Sequence, residues 1–248
     1  MNTTPVLLIP EKTDIEFEQV LAAWEKRGGQ VRKLGKYWIK EEALTKQPIA
    51  VYGNQAFAFV LAQIYDATLL SPDDSLIARL EEKWTKRVVQ LKQLGELSAN
   101  DFPVFIKSVI PKLFVAGVFQ SLDAFQAVTA RLPETEELLV SDIIHPIQAE
   151  VRSYVLDGDI KDMAFYEGEA DMAGATRFLE AFIQENKQHL PATVVVDLAF
   201  NDQCGWFVLE FNACWGAGLN GCDAEKVIDC IIGATSNKFA SGNALLYP

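Results

Sequence analysis

The 248-residue chain is half hydrophobic and 23% charged, an ordinary balance for a globular protein that is long enough for one large domain or two closely packed ones. Its net charge of −12 argues against a nucleic-acid or anionic-membrane partner, because both require a basic surface. The first residues carry no secretory signal pattern and no apolar run reaches membrane-spanning length, so we expect a cytoplasmic protein without membrane association.

The first part of the chain alternates between predicted strands and helices. Residues 5–9 form an apolar strand, and Thr13–Glu16 is a capping-box pattern that begins an amphipathic helix ending at Gly28–Gly29. A second strand is predicted at Ile49–Tyr52, followed by an apolar helix over Gln55–Tyr65. This alternation predicts a small parallel α/β unit.

A further helix is predicted over residues 72–94, because Ser71 is a typical N-cap residue and is followed by a proline and an acidic first turn. The Asp101–Pro103 segment interrupts the pattern. We therefore expect two domains, spanning residues 1–97 and 98–248.

Strands dominate the predicted second region. They are expected at Val104–Lys107, Leu138–Ile144, Glu150–Leu156, Ile160–Tyr166 and the two arms of a hairpin within residues 194–212. The helices are expected at Ser121–Leu132, Ala170–Gln188 and from Asp223 to about Ala234.

The hairpin places polar side chains on one face. With a four-residue loop at Asp202–Gly205, Asp197 lies opposite Glu210, and Asn212 shares their face because side chains alternate along a strand. The opposite face is an expected core of Val196, Leu198, Leu209 and Phe211.

Two carboxylates opposite each other destabilise a strand pair unless something positive lies between them. Oxygen ligands of this kind suit Mg²⁺, so the hairpin predicts a metal site at Asp197, Glu210 and Asn212. For an isolated strand pair, an edge-strand charge and solvent-facing side chains explain the same pattern.

Two further patterns supply charges. Lys107 ends a strand and Lys112 lies in the following loop, as in many phosphate sites, although such lysines also simply extend to water. Glu150 and Arg152 share a strand face, where arginine suits phosphate and glutamate suits a ribose hydroxyl or a metal. A cross-strand salt bridge is the simpler explanation for that pair.

The cysteines do not indicate a metal or disulfide framework. Their spacing matches no zinc motif, and free, mostly buried thiols are expected at Cys204, Cys214, Cys222 and Cys230. His145 lies beside a proline, and we expect a structural role for it.

In their order along the chain, these segments resemble the ATP-grasp superfamily, whose members mostly join a carboxylate to an amine at the expense of ATP. The matching segments are the N-terminal α/β unit, FIK at 105–107, the loop with Lys112 and Gly117, LLVSDII at 138–144, EVRSYVLDGDI at 150–160, VVVD at 194–197 and LEFN at 209–212. The Gly-rich segment after Asn212 is similar to that of a divergent bacterial and phage group. The resemblance implies an α+β (mixed α/β) ATP-grasp fold with a small N-terminal parallel unit.

The resemblance also implies roles for individual residues. Lys107 would hold the α- and β-phosphates of ATP, and Lys112 or its loop would cover them. Arg152 would neutralise the transferring phosphoryl group, so Arg152 and Lys112 are the catalytic candidates. Glu150 would lie near the nucleotide or substrate. The adenine-binding backbone would be that of Val140, Ser141, Asp142 and Ile143, and one or two Mg²⁺ ions would be held by Asp197, Glu210 and Asn212.

The implied function is an ATP-dependent, Mg²⁺-requiring ligase that forms an acyl phosphate on a carboxylate and transfers it to an amine. The substrates would be small molecules or peptides. A non-catalytic nucleotide- or partner-binding protein and a small-molecule kinase are the alternatives. Members of the family are often homodimers, so the resemblance makes a homodimer the expected oligomer.

Overall fold

The computed structural model describes residues 4–110 and 113–237 and mixes α-helices with β-strands, as predicted. The strands are β1 Val6–Pro10, β2 Gln30–Leu34, β3 Ile49–Val51, β4 Ala67–Leu69, β5 Val89–Gln93, β6 Val104–Ser108, β7 Gly117–Phe119, β8 Glu137–Ser141, β9 Ala149–Leu156, β10 Asp159–Gly168, β11 Thr193–Asn201, β12 Gly205–Asn212 and β13 Thr235–Asn237. The helices are α1 Ile15–Lys26, α2 Gln55–Tyr65, α3 Glu82–Thr85, α4 Leu122–Thr129, α5 Met172–Asn186 and α6 Ala224–Gly233. Short 3₁₀ turns lie between several of them.

The N-terminal unit is a parallel sheet in the order β2-β1-β3, which confirms the predicted parallel α/β arrangement. Helix α2 has the predicted bounds. Helix α1 begins one residue later than predicted. Its N-cap is Asp14, not Thr13, and the Asp14 carboxylate accepts hydrogen bonds from the backbone N–H groups of Glu16 and Phe17.

The helix predicted over residues 72–94 is wrong. The segment contains a 3₁₀ turn at Leu76–Arg79, the single-turn α3 and the strand β5. β5 pairs with β8 along its whole length, and this tertiary pairing overrides the helical propensity of the local sequence.

A two-stranded sheet pairs β4 with β13. The remaining strands form two four-stranded antiparallel sheets. The shorter-stranded one has the order β5-β8-β6-β7, and the longer-stranded one has the order β10-β9-β11-β12. Strand β5 belongs to the first sheet although it precedes the predicted boundary after residue 97. The two-domain division itself stays a prediction.

The hairpin of β11 and β12 pairs Asp197 with Glu210, as predicted, but its loop differs from the predicted one. Asn201 pairs with Gly205, so the loop has three residues rather than four, and Gly205 adopts a positive φ of 78°. The shorter loop shifts the register by one residue. A bulge at Leu209, which pairs with no residue of β11, shifts it back, so that Asp197 lies opposite Glu210. Leu209 lines a cleft instead of joining the predicted core.

The longer-stranded sheet is covered on both faces. On one face α5 contributes Leu179 and Phe182 to a core with Val194 and Val196. On the other face α6 packs against Tyr154 and Val195, in a core that continues into the N-terminal sheet. No helix in the described part of the chain is both long and apolar enough to cross a bilayer.

Candidate functional site

A cleft of about 180 Å³ lies between the two antiparallel sheets. Strands β6 and β8 line one wall with alternate side chains. Strand β12 lines the other with four consecutive residues, since the bulge at Leu209 interrupts the alternation there. Its lining combines apolar walls with a few charged groups. The strand residues in the lining are Val89, Phe105, Lys107, Leu139, Ser141, Leu209, Glu210, Phe211 and Asn212.

Asp197 lies beneath the cleft and is fully buried. Strand β9 pairs with β11 so that Arg152 lies opposite Asp197. The guanidinium donates from Nε to Asp197 Oδ1 at 2.9 Å and from Nη2 to Oδ2 at 2.7 Å. This bidentate ion pair neutralises the buried carboxylate.

Glu210 lies on the cleft wall and has a different cation. Lys107 Nζ donates to Glu210 Oε2 at 2.7 Å, and both side chains are partly exposed. Asn212 joins the two carboxylates, since its Nδ2 donates to Asp197 Oδ2 and to Glu210 Oε1, each at 3.0 Å. The structure therefore brings together Lys107, Arg152, Asp197, Glu210 and Asn212, in a network predicted from separate sequence segments.

The network changes the pKa values of its buried members. Burial raises the pKa of Asp197 above its ordinary value, although the hydrogen bonds and charge of Arg152 act to lower it. Burial acts to raise the pKa of Glu210, but Lys107, Asn212 and Arg152 together lower that pKa below its ordinary value. Burial also acts against the charge of Arg152, yet the hydrogen bonds and charge of Asp197 raise the pKa of Arg152 above its ordinary value. The cleft thus favours the carboxylate form of Glu210, which lies against Lys107 Nζ.

Glu210 and Asn212 are suited to Mg²⁺. Both line the cleft, and the amide oxygen of Asn212 accepts no hydrogen bond from any described residue. Mg²⁺ commonly takes one or two carboxylates and completes its shell with phosphate and water. In residues 4–110 and 113–237, no three acidic, histidine or cysteine side chains cluster in a way that could hold a metal.

Asp197 is placed differently from these two residues. Both of its oxygens are engaged by Arg152 and Asn212, and its side chain has no exposed surface. A contact between Asp197 and a metal would require the surrounding side chains to move, because its carboxylate has no exposed surface. The assignment of Asp197 as a third ligand stays a prediction.

The predicted adenine-binding residues are only partly at the cleft. Ser141 lines it, whereas Val140 alternates to the other face and is buried in the core beneath α4. Strand β8 ends at Ser141, so Asp142 and Ile143 follow the strand. The Asp142 carboxylate accepts a hydrogen bond from the backbone N–H of Val88 at 3.1 Å, which ties the end of β8 to β5.

Glu150, another predicted site residue, does not line the cleft. Glu150 shares a sheet face with Arg152, as predicted, but its carboxylate accepts a hydrogen bond from the Tyr166 hydroxyl. Lys112 lies outside the described residues. The three cysteines Cys214, Cys222 and Cys230 are buried, Cys204 is partly buried, and all four are free, as predicted.

Arg87 is a cleft residue that the sequence analysis missed. Its guanidinium donates to the carbonyl oxygens of Val208 and Leu209 at 3.4 and 3.3 Å, and it lies 5.3 Å from the Phe207 ring centroid. Burial lowers the pKa of Arg87 to about 10, so it is charged at neutral pH. It makes no ion pair with any described residue and supports the bulge that aims Glu210 into the cleft. Arg87 follows Lys86 in a segment expected to be helical, and nothing in the local sequence singles it out.

The Gly-rich segment after β12 is held by hydrogen bonds from two parts of the fold. The carbonyl of Gly218 accepts from Arg152 Nη1 at 2.9 Å and from the Tyr154 hydroxyl at 3.1 Å. Glu16 of α1 accepts from the backbone N–H groups of Leu219 and Asn220 at 3.0 and 2.8 Å. The N-terminal unit and the longer-stranded sheet therefore hold this loop jointly.

The fold is similar to those of solved ATP-grasp proteins. An ATP-grasp RimK domain protein from Sphaerobacter thermophilus matches with a TM-score of 0.62 and 16% identity, covering 93% of this chain and all of that one. D-alanine–D-alanine ligase from Bacillus anthracis matches with a TM-score of 0.55 and 14% identity, covering 94% and 97%. The ATP-grasp ligase PsnB, solved with a minimal precursor, Mg and ADP, matches with a TM-score of 0.53 and 13% identity, covering 94% and 99%.

At these identities the structural matches establish the fold alone, and no curated protein sequence matches the chain significantly. The family is established by sequence. The model of an ATP-grasp domain family, the second family of the R-two-K clade, matches residues 84–230, which is more than half of the chain and includes the whole charged network. The protein therefore belongs to the R-two-K clade of the ATP-grasp superfamily.

Proposed function

We propose that the protein is an Mg²⁺-dependent ligase that uses ATP to join a carboxylate to an amine through an acyl phosphate. The observation that carries this proposal is the Lys107–Glu210–Asn212 group on the wall of the intersheet cleft. It offers a cation for phosphate beside oxygen ligands for a metal. The D-alanine–D-alanine ligase and PsnB named above are ligases on the same fold, which supports this reaction class.

The chain's own residues act mainly by position and charge. Lys107 would exchange its contact with Glu210 for an ATP phosphate, and Ser141 and Leu139 would border the base. Glu210 and Asn212 would hold Mg²⁺, which when bound neutralises phosphate charge. Arg152 and Asp197 form the buried ion pair that orients Asn212.

The phosphoryl-neutralising role predicted for Arg152 requires its guanidinium to reach the cleft. Arg152 now uses Nε and Nη2 for Asp197 and Nη1 for Gly218. We therefore propose it first as a positioning residue, and Lys112 and Arg87 as the other candidate cations near the transferred phosphoryl group. Phosphoryl transfer needs such charge neutralisation more than a protein nucleophile.

The first test is thermal unfolding with Mg-ATP, Mg-ADP and ATP plus EDTA. A ligand that binds the native state alone stabilises it by about 2.7 kcal/mol at a concentration of 100 times its Kd. We expect a shift that requires Mg²⁺ and that falls in Lys107→Ala, because a charge-assisted contact contributes about 1.5–3 kcal/mol. Lys161→Ala is the matched control, since Lys161 pairs only with Asp159 in the described structure. No shift with any nucleotide would contradict the proposal.

The second test separates the ligase from its alternatives. ADP release is measured over a panel of carboxylic acids with and without hydroxylamine, which converts an acyl phosphate to a hydroxamate. Hydroxamate formation supports the ligase. A phosphorylated product that survives hydroxylamine indicates a small-molecule kinase, and nucleotide binding without ADP release across the panel indicates a binding protein.

A further inference from the structure

A second cavity of about 290 Å³ adjoins the cleft. The two share Asp74, Phe211 and Asn212 in their linings, so they meet where β12 ends. The remaining walls come from the N-terminal half of α2 with its N-cap, the segment after β4 and the start of the Gly-rich loop. A molecule in the second cavity would therefore lie next to the proposed phosphate and metal groups.

The charge of the second cavity's lining favours an amine over a carboxylate as its ligand. Among its described residues Asp74 alone is charged, and no lysine or arginine contributes to it. Asp74 makes no ion pair or hydrogen bond with any described residue, whereas its neighbour Asp73 is held by Ser75 and Arg79. Lys107 of the adjoining cleft attracts the Asp74 carboxylate without forming an ion pair with it. An anion in this cavity would therefore meet a negative charge, whereas an ammonium group would find a partner.

One wall of the second cavity is aromatic. Phe59 is 51% exposed although it is a large apolar side chain, and its ring centroid lies 5.7 Å from that of Trp215. Trp215 is fixed in turn by a hydrogen bond from Nε1 to Ser71 Oγ at 3.1 Å. This wall offers apolar contact and a π-face that favours a nearby cation.

We propose that this second cavity binds the amine co-substrate, with the ammonium group against Asp74 and an apolar side chain against Phe59 and Trp215. This inference rests on the proposed ligase function and assigns its nucleophile to a specific site. The substrate class is a primary amine that carries an apolar or aromatic group. The carboxylate substrate is then left to the space nearer the cations of the cleft.

Calorimetric titration with two matched probes tests the proposal. L-phenylalanine amide carries an ammonium group and no carboxylate, and its N-acetyl derivative keeps the side chain but lacks the charge. The protein is first saturated with Mg²⁺ and a non-hydrolysable ATP analogue. We expect the amide to bind, the N-acetyl form to bind at least about tenfold more weakly, and Asp74→Asn to reduce amide affinity by a similar factor.

Two further variants complete the design. Phe59→Ala should also weaken amide binding, whereas Asp157→Asn removes the same charge from a turn outside the cavity and should match the wild type. Equal affinity for the two probes, wild-type affinity in Asp74→Asn, or no amide binding to the analogue-loaded protein would overturn the amine site. Failure of the wild-type protein to bind the analogue would instead overturn the ligase function itself, and the amine site with it.

Discussion

The carboxylates of Asp197 and Glu210 lie opposite each other on β11 and β12, and each is neutralised by a different cation. Asp197 is paired with Arg152 in the interior, where neither charge can be solvated well. Glu210 is paired with Lys107 at the cleft, where both side chains are 37% exposed. The cross-strand pair thus separates a structural charge from one that is accessible to a ligand.

Substitution of Asp197 should mainly affect stability. Asp197→Asn leaves the Arg152 guanidinium buried without a counter-charge, and removing one partner of a buried pair typically costs about 3–5 kcal/mol. Urea unfolding measures this loss. The matched control is Asp159→Asn, whose exposed pair with Lys161 should contribute less than about 1 kcal/mol. Equal free energies of unfolding for the two variants would contradict the structural role of Asp197.

Substitution of Glu210 should mainly affect ligand binding. Glu210→Gln keeps the size of the side chain and leaves Lys107 able to reach water, so the free energy of unfolding should change by less than about 1 kcal/mol. The metal ligand is weakened, however, so the part of the ATP-induced thermal shift that requires Mg²⁺ should largely disappear. The comparison uses Mg-ATP and ATP plus EDTA on both proteins. An unchanged Mg²⁺-dependent shift would move the metal elsewhere.

The sequence allowed the facing carboxylates to be predicted because period-two alternation fixes which side chains share a face. The loop length was one residue too long, and the bulge at Leu209 compensated for it. At that bulge Arg87, from a distant segment, donates to the Val208 and Leu209 carbonyls. Local sequence carries no signal for such a contact.

The ion pair of Asp197 with Arg152 was not predicted for the same reason, because it joins segments that are distant in sequence. The strand containing Arg152 could be recognised, but its position beside β11 follows from the sheet order β10-β9-β11-β12. The helix predicted over residues 72–94 failed for a related reason, since β5 is a strand only because β8 pairs with it. Where a pattern is local, the sequence predicted which elements are strands and which side chains share a face. It did not predict which strands from distant parts of the chain lie side by side.

The link between Glu16 and the Gly-rich loop can be tested by amide hydrogen exchange. Glu16→Ala removes the acceptor for the backbone N–H groups of Leu219 and Asn220, so both amides should exchange faster. A loss of about 0.5–1.5 kcal/mol per hydrogen bond corresponds to roughly a two- to tenfold change in local opening. Glu25→Ala on the same helix is the control, because Glu25 is exposed and contacts neither amide. Unchanged exchange at both amides would show that other contacts hold the loop.

The pH dependence of stability should reveal Asp101, which lies before β6. The Lys92 hydrogen bond at 2.5 Å, with further bonds from Ser98, lowers the pKa of Asp101 from 3.8 to about 2. A carboxyl whose pKa is lower in the folded state contributes stability that is complete above the unfolded value and is lost as the pH falls through the folded value. Wild type should therefore exceed Asp101→Asn by about 1–2 kcal/mol at neutral pH, since one pKa unit corresponds to roughly 1.4 kcal/mol and the pair is partly exposed. The difference should shrink between about pH 4 and pH 2 in urea unfolding series. Because the Lys92 bond is the largest cause, Lys92→Met should remove most of this acid-sensitive difference, and a difference that stayed constant with pH would contradict the assignment.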